Sequence, residues 1–131
     1  MKKTEIEIIG REIISASYYV HKALGPGLLE SIYQTCLVEE LGYRGLLAEK
    51  EVLVPLYYRN KQVQKEFRLD ILVEKEIVLE IKAIESIAPV HLAQLLSYLR
   101  LSGKWLGFLL NFNVAVMKDG IRRIVNGFPE E

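Results

Sequence analysis

The stretch from Arg68 to Ala83, RLDILVEKEIVLEIKA, constrains this chain more than any other. Polar and apolar residues alternate on both sides of Glu74-Lys75-Glu76, a period of two that reads as a strand hairpin. With that turn, Asp70 faces Glu80, Arg68 faces Lys82 and Leu72 faces Val78. Leu69, Ile71, Val73, Ile77, Leu79, Ile81 and Ala83 then share the core face, and the charged residues share the other. Two carboxylates directly opposite one another repel by on the order of 3 kcal/mol at ~5 Å and an effective dielectric of ~20. Arg68 and Lys82 lie on the diagonals and offset this only weakly as surface ion pairs. A divalent cation does so better, because Mg²⁺ and Mn²⁺ take hard oxygen ligands. From the hairpin alone, both a zwitterionic outer sheet face and a metal site stand.

The flanking segments give the element order. Thr4 followed by Glu7 spells a capping box, and Ile6, Ile9, Ile13 and Val20 keep helical spacing to about Ala23. LGPG breaks that helix, and a second runs from about Leu28 to Leu41, stopping at Gly42. With Gly27 as its N-cap, Glu30 takes the third helical position, where it completes a capping box and suits the helix dipole. Glu30 also leans toward the apolar side of that helix, near Tyr33.

From Ala48 the pattern becomes strands: EVLVPLYY turns at RNK into VQKEFRLDILV, which turns at EKE into IVLEIKAI. Ser86 is the expected cap of a third helix, with Pro89 in its first turn and its end near Leu101. Gln94 and Tyr98 share one face of it, with His91 one turn earlier. No second His or Cys stands at ligand spacing from His91, so it is not read as a metal ligand. WLGFLLNF suits a strand covered on both faces, and KDG turns into a last strand, IRRIVN. The expectation is one α/β domain over 1–131: a mixed central sheet, with a three-strand antiparallel meander plus further strands, flanked by helices.

Charge and cysteine content narrow the setting. One cysteine, Cys36, allows neither a disulfide framework nor a Cys-based zinc site, and a reducing, cytoplasmic location is expected. The charged N-terminus is unlike a signal peptide, and the longest apolar run, broken by two Asn, is too short to span a bilayer. A soluble protein with no membrane partner is expected. Net charge is zero, which counts modestly against nucleic-acid binding. The distribution is less even: Arg59 to Arg68 holds four bases against Glu66, and Arg100 to Arg123 holds five against Asp119.

Asp70, nine intervening residues and Glu80-Ile81-Lys82 together resemble the D-x(n)-(D/E)-x-K signature of the PD-(D/E)xK nuclease superfamily. Gly27 to Tyr33, GLLESIY, is similar to the motif that names the GxxExxY family, which is placed in that superfamily. Gln94 to Tyr98, QLLSY, is similar to the Q-x-x-x-Y helix of its exonuclease-like branch. The likeness covers roughly residues 5 to 128, and the Pro usual before the Asp is replaced by RLD.

The resemblance implies a PD-(D/E)xK nuclease-like core and a nuclease that cuts nucleic acid, DNA in preference to RNA, with Mg²⁺ or Mn²⁺. Asp70, Glu80, the Ile81 carbonyl and Glu30 would hold the metal, and Lys82 would orient the attacking water. Gln94 and Tyr98 would position water or phosphate, with Tyr33 and Arg68 as further substrate-positioning residues. A homodimer would let so short a chain cut two strands. Two alternatives remain: an inactive nucleic-acid or partner-binding module on the same fold, and a structural domain in which these residues are scattered.

Overall fold

The computed structural model describes residues 1–128. Apolar residues at helical spacing make the first element, α1 (Lys3–Leu24), which buries Ile6, Ile13, Ala16 and Val20 on one side. Its N-cap is Lys2, so the helix starts before the expected Thr4 cap, and Glu7 pairs with Arg123. The second helix, α2 (Glu30–Tyr43), is displaced by two residues from the expected Leu28–Leu41. The Tyr33 hydroxyl donates to the Gly25 carbonyl at 2.6 Å and accepts from the Leu28 N–H at 3.1 Å. Those bonds occupy the loop, which turns through Gly27 at φ 97° and becomes helical only after Leu29. Glu30 is therefore the first helical residue and forms no capping box. At the other end Gly42 stays helical, and Arg44 closes the helix while paired to Glu40 and Glu12.

Strands β1 (Ala48–Tyr58) and β2 (Lys61–Val73) meet through Arg59 and Asn60, both left-handed at φ 51° and 62°, the conformation of a two-residue hairpin turn. Strand β3 (Ile77–Lys82) follows, then α3 (Pro89–Ser102), β4 (Leu106–Asn111), a 3₁₀ turn over Met117–Gly120 and β5 (Ile121–Val125). The sheet order is β1-β2-β3-β4-β5, with β3 and β4 parallel and the other neighbours antiparallel. A parallel pair needs a crossover, and α3 supplies it. The fold is the expected mixed α/β sheet flanked by helices. The cap of α3 differs from expectation: it is Ala88, not Ser86, and its N–H donates to His91 Nδ1 at 2.9 Å.

The hairpin pairs Leu72 with Val78 as its alternation requires, but the β2–β3 ladder ends at Ile71 and Leu79. Arg68 therefore never faces Lys82. Glu51 in β1 is left-handed at φ 57°, and the β1–β2 ladder skips Glu51 and Asp70. Both strands roll over there. Ile71 and Val73 lie in the core under α1 and α2, whereas Leu69 joins Leu72 and Val78 in the core under α3, contrary to simple alternation. The face carrying Glu80 is thus covered by a helix and is no outer surface.

Gly107 in β4 lets α3 come close: a Cβ there would stand 3.1 Å from Leu95 Cδ1, Leu99 Cδ2 and the Val78 carbonyl oxygen. Every residue of β4 is buried, as a strand covered on both faces must be. Among the described residues, no helix is long and apolar enough to cross a membrane.

Candidate active site

Where β2 and β3 part, a side chain takes over from the backbone. Asp70 Oδ2 accepts the Ile81 N–H at 2.8 Å, which aims the carboxylate into the fork between the strands. The other end of Asp70 is held from α2: Gln34 Nε2 donates to the Asp70 carbonyl at 2.9 Å and to Glu51 Oε1 at 3.2 Å. Arg68 Nη1 donates to the second Glu51 oxygen at 3.1 Å. Backbone and carboxylate of Asp70 are both fixed before any ligand arrives.

Glu80 stands beside it, only 5% exposed, and its Oε1 is buried without a hydrogen-bond partner among the described residues. Leaving a buried carboxylate oxygen unpaired is costly, and native proteins do so at few places. Burial first, and then the charge of Asp70, push the Glu80 carboxyl up to about 8, with Lys82 opposing. Asp70 is also raised, again chiefly by burial, against the Ile81 N–H and Lys82. The pair therefore holds a proton at neutral pH that a cation could replace.

Two helices bring further groups to this pair. Burial raises Glu30, at the first turn of α2, which also feels Asp70 and Lys82. Burial likewise raises Tyr98 on α3, and Glu80 and Asp70 raise it further. Gln94 Nε2 donates to the Tyr98 hydroxyl at 3.1 Å, and the Phe67 ring stacks on Tyr98 at 4.9 Å. Glu30, Asp70, Glu80, Lys82, Gln94 and Tyr98 thus converge at one fork of the sheet.

Three residues stand elsewhere. Tyr33 is fully buried and stacked on Phe112 at 4.7 Å, so it cannot meet a substrate. It instead anchors the loop that delivers Glu30. Arg68 lies at the rim, paired with Glu51. The Ile81 side chain is in the core under α1 and α2, and only its backbone reaches the fork.

Sequence reasoning missed Gln34 and Glu51. Gln34 lies four residues after Glu30 and hence on the same helical face, a readable signal. Nothing in EKEVLV announces a left-handed Glu51. Asn111 holds Ile84 from both sides: its Oδ1 accepts the N–H at 3.1 Å and its Nδ2 donates to the carbonyl at 3.0 Å. That clip secures the chain just past Lys82.

No group of three or more His, Cys, Asp or Glu is arranged to hold a metal among the described residues. The Asp70 carboxylate, held by the Ile81 N–H, and the buried Glu80 with its unpaired oxygen nevertheless fit a hard cation, and Mg²⁺ in particular keeps several waters.

A family model of the PD-(D/E)XK nuclease superfamily matches residues 7–124. The crystal structure of SSO0001 resembles the chain in fold, with a TM-score of 0.50 and 23% identity over 98% of this chain and 62% of that one. The chain therefore spans less than two thirds of the protein whose fold it matches. No curated protein matches it, and none of these matches supports the narrower GxxExxY likeness. With the family match running from the first helix to the last strand, the chain belongs to the PD-(D/E)XK nuclease superfamily.

Proposed function

We propose that this chain is a single-domain hydrolase that cleaves phosphodiester bonds of nucleic acid, DNA in preference to RNA, with Mg²⁺ or Mn²⁺. The observation that carries this reading is the buried Asp70–Glu80 pair with its unpaired Glu80 oxygen. Asp70 and Glu80 with the Ile81 carbonyl would hold the cation, and Glu30 would reach it through a water; when bound, the cation supplies a water of lowered pKa and neutralises charge on the phosphoryl oxygens.

The protein groups do the rest. Lys82, two residues from Glu80 on the same strand, donates to the attacking water or to a phosphate oxygen and opposes the negative charge of the pair. The Tyr98 hydroxyl, which accepts from Gln94, is left with its own proton to donate to water or phosphate. Gln34, itself bonded to Glu51, fixes the Asp70 backbone, and the Ile81 N–H holds the Asp70 carboxylate in the fork. The lone Cys36 suits a reducing, cytoplasmic setting.

A second reading, a non-cleaving nucleic-acid or partner-binding module on the same fold, draws on the net charge of zero. Digestion of labelled single-stranded and duplex DNA in Mn²⁺, with EDTA and Lys82→Ala as controls, separates the two. Metal-dependent cutting lost in the variant supports the nuclease. Binding without cutting favours the module.

A further inference from the structure

Strands β1 and β2, 11 and 13 residues long, are far longer than β3, at 6, and β2 pairs with β3 only over Ile71–Val73. From Val52 to Leu69 the hairpin has no sheet neighbour beyond its own two strands. Its base is tied down on one side, where Val52, Val54 and Phe67 pack against the core under α3. Past that anchor, every residue from Tyr57 to Glu66 is exposed, so the ribbon stands in solvent on both faces. A two-stranded ribbon is marginal in water by itself. This one nevertheless leaves Tyr57, Tyr58 and Val63 uncovered, with Tyr58 71% exposed.

Its charge is as uneven as its packing. Arg59, Lys61 and Lys65 stand on the free part of the ribbon against Glu66 alone, and no ion pair or hydrogen bond engages their side chains among the described residues. In the other basic stretch Arg123 pairs with Glu7 and Arg122 donates to the carbonyls of Asp119 and Ile121, whereas Arg100, Lys104 and Lys118 are likewise without a side-chain partner among the described residues but lie on separate elements. Lysines on a free strand can merely block edge pairing. Here, however, they sit beside exposed tyrosines on an arm rooted in the site. Phe67 stacks on Tyr98, and three residues further along the same strand is Asp70.

We propose that the β1–β2 ribbon is the arm by which this protein grips duplex DNA, its tip lying in a groove and Arg59, Lys61 and Lys65 meeting phosphates. The inference rests on the nuclease reading for its orientation. A major groove admits a two-stranded ribbon, and unpaired cations with aromatic neighbours complement a polyanion of stacked bases. Lys61 is nine residues from Asp70 along β2, about 30 Å at ~3.3 Å per residue, close to one turn of B-form DNA. The arm therefore follows the duplex for nearly a turn beyond the bond at the carboxylate pair.

The test is fluorescence anisotropy of a labelled 24-base-pair duplex with the whole protein in Ca²⁺, against salt, for wild type and Arg59→Asn/Lys61→Gln/Lys65→Gln. Asn suits the left-handed position 59, and all three side chains are exposed, so the fold should persist, as far-UV circular dichroism checks. Expected is at least tenfold weaker binding at ~0.1 M salt, and a log K against log salt slope reduced by about 2.7 if all three meet phosphates. A duplex of eight base pairs should bind wild type and variant more nearly alike. Equal affinity and slope for both proteins on the long duplex would overturn the arm. So would a defect seen only with single strands, or a wild type that binds no duplex. Cutting by the wild type is scored separately in Mn²⁺: charge-dependent duplex binding without cutting keeps the arm and removes the nuclease, and cutting without arm-dependent binding does the reverse.

Discussion

Replacing Glu80 with Gln should stabilise the metal-free fold while removing its metal response. Carrying a carboxyl from its ordinary 4.5 to about 8 costs the ionised fold on the order of 5 kcal/mol well above pH 8, and on the order of 3 kcal/mol at pH 7. The sign follows from proton binding. The folded state holds the Glu80 proton more tightly than the unfolded chain, so stability is full below about 4.5 and is lost as pH rises toward about 8. Glutamine keeps the volume, has no proton to lose, and can donate its amide to Asp70.

Urea unfolding in EDTA at a series of pH values measures the difference. The variant should lead the wild type by about 1 kcal/mol at pH 5 and on the order of 3 kcal/mol at pH 7. Saturating Mn²⁺ should then raise the wild type, by ~2.7 kcal/mol at a hundred times its Kd, and leave the variant unmoved. A difference that stays flat with pH would refute the argument. It would mean that Glu80 ionises without a burial cost, and the reading of its unpaired oxygen would fail with it.

Four other measurements probe the supports of the site. Asp70→Ala and Lys82→Ala should each abolish Mn²⁺-dependent cutting of labelled DNA while far-UV circular dichroism stays native. Tyr33→Phe removes the hydroxyl that joins Gly25 to Leu28 and should cost about 1–3 kcal/mol in urea unfolding, with weaker cutting as the loop carrying Glu30 loosens. Gln34→Leu leaves the Asp70 carbonyl and Glu51 without their shared donor; calorimetric Mn²⁺ affinity should fall, and Gln34→Glu should not restore it, because a carboxylate has no N–H to give. Gly107→Ala sets a methyl 3.1 Å from Leu95, Leu99 and the Val78 carbonyl, and thermal unfolding should show a loss of about 1–3 kcal/mol.

Periodicity alone determined a good deal. The alternation around Glu74-Lys75-Glu76 set the hairpin register, and the continuous apolar run of WLGFLLNF marked a strand buried on both faces. Spacing placed Gln94 beside Tyr98, because residues four apart on a helix are neighbours whatever else surrounds them. These features are local, so a short stretch of chain carries them.

What the tertiary structure decided depends on distant partners. Glu30 opens its helix because Tyr33 ties up the preceding loop, and Tyr33 is buried because Phe112 stacks on it. Leu69 changes sides because Glu51 and Asp70 roll the two strands over together, a backbone choice that no residue pattern encodes. Above all, the face with Asp70 and Glu80 looked like solvent from its charges. The packing of α3 over Gly107 makes it interior, and only burial turns two opposed carboxylates into a strained pair suited to a metal ion.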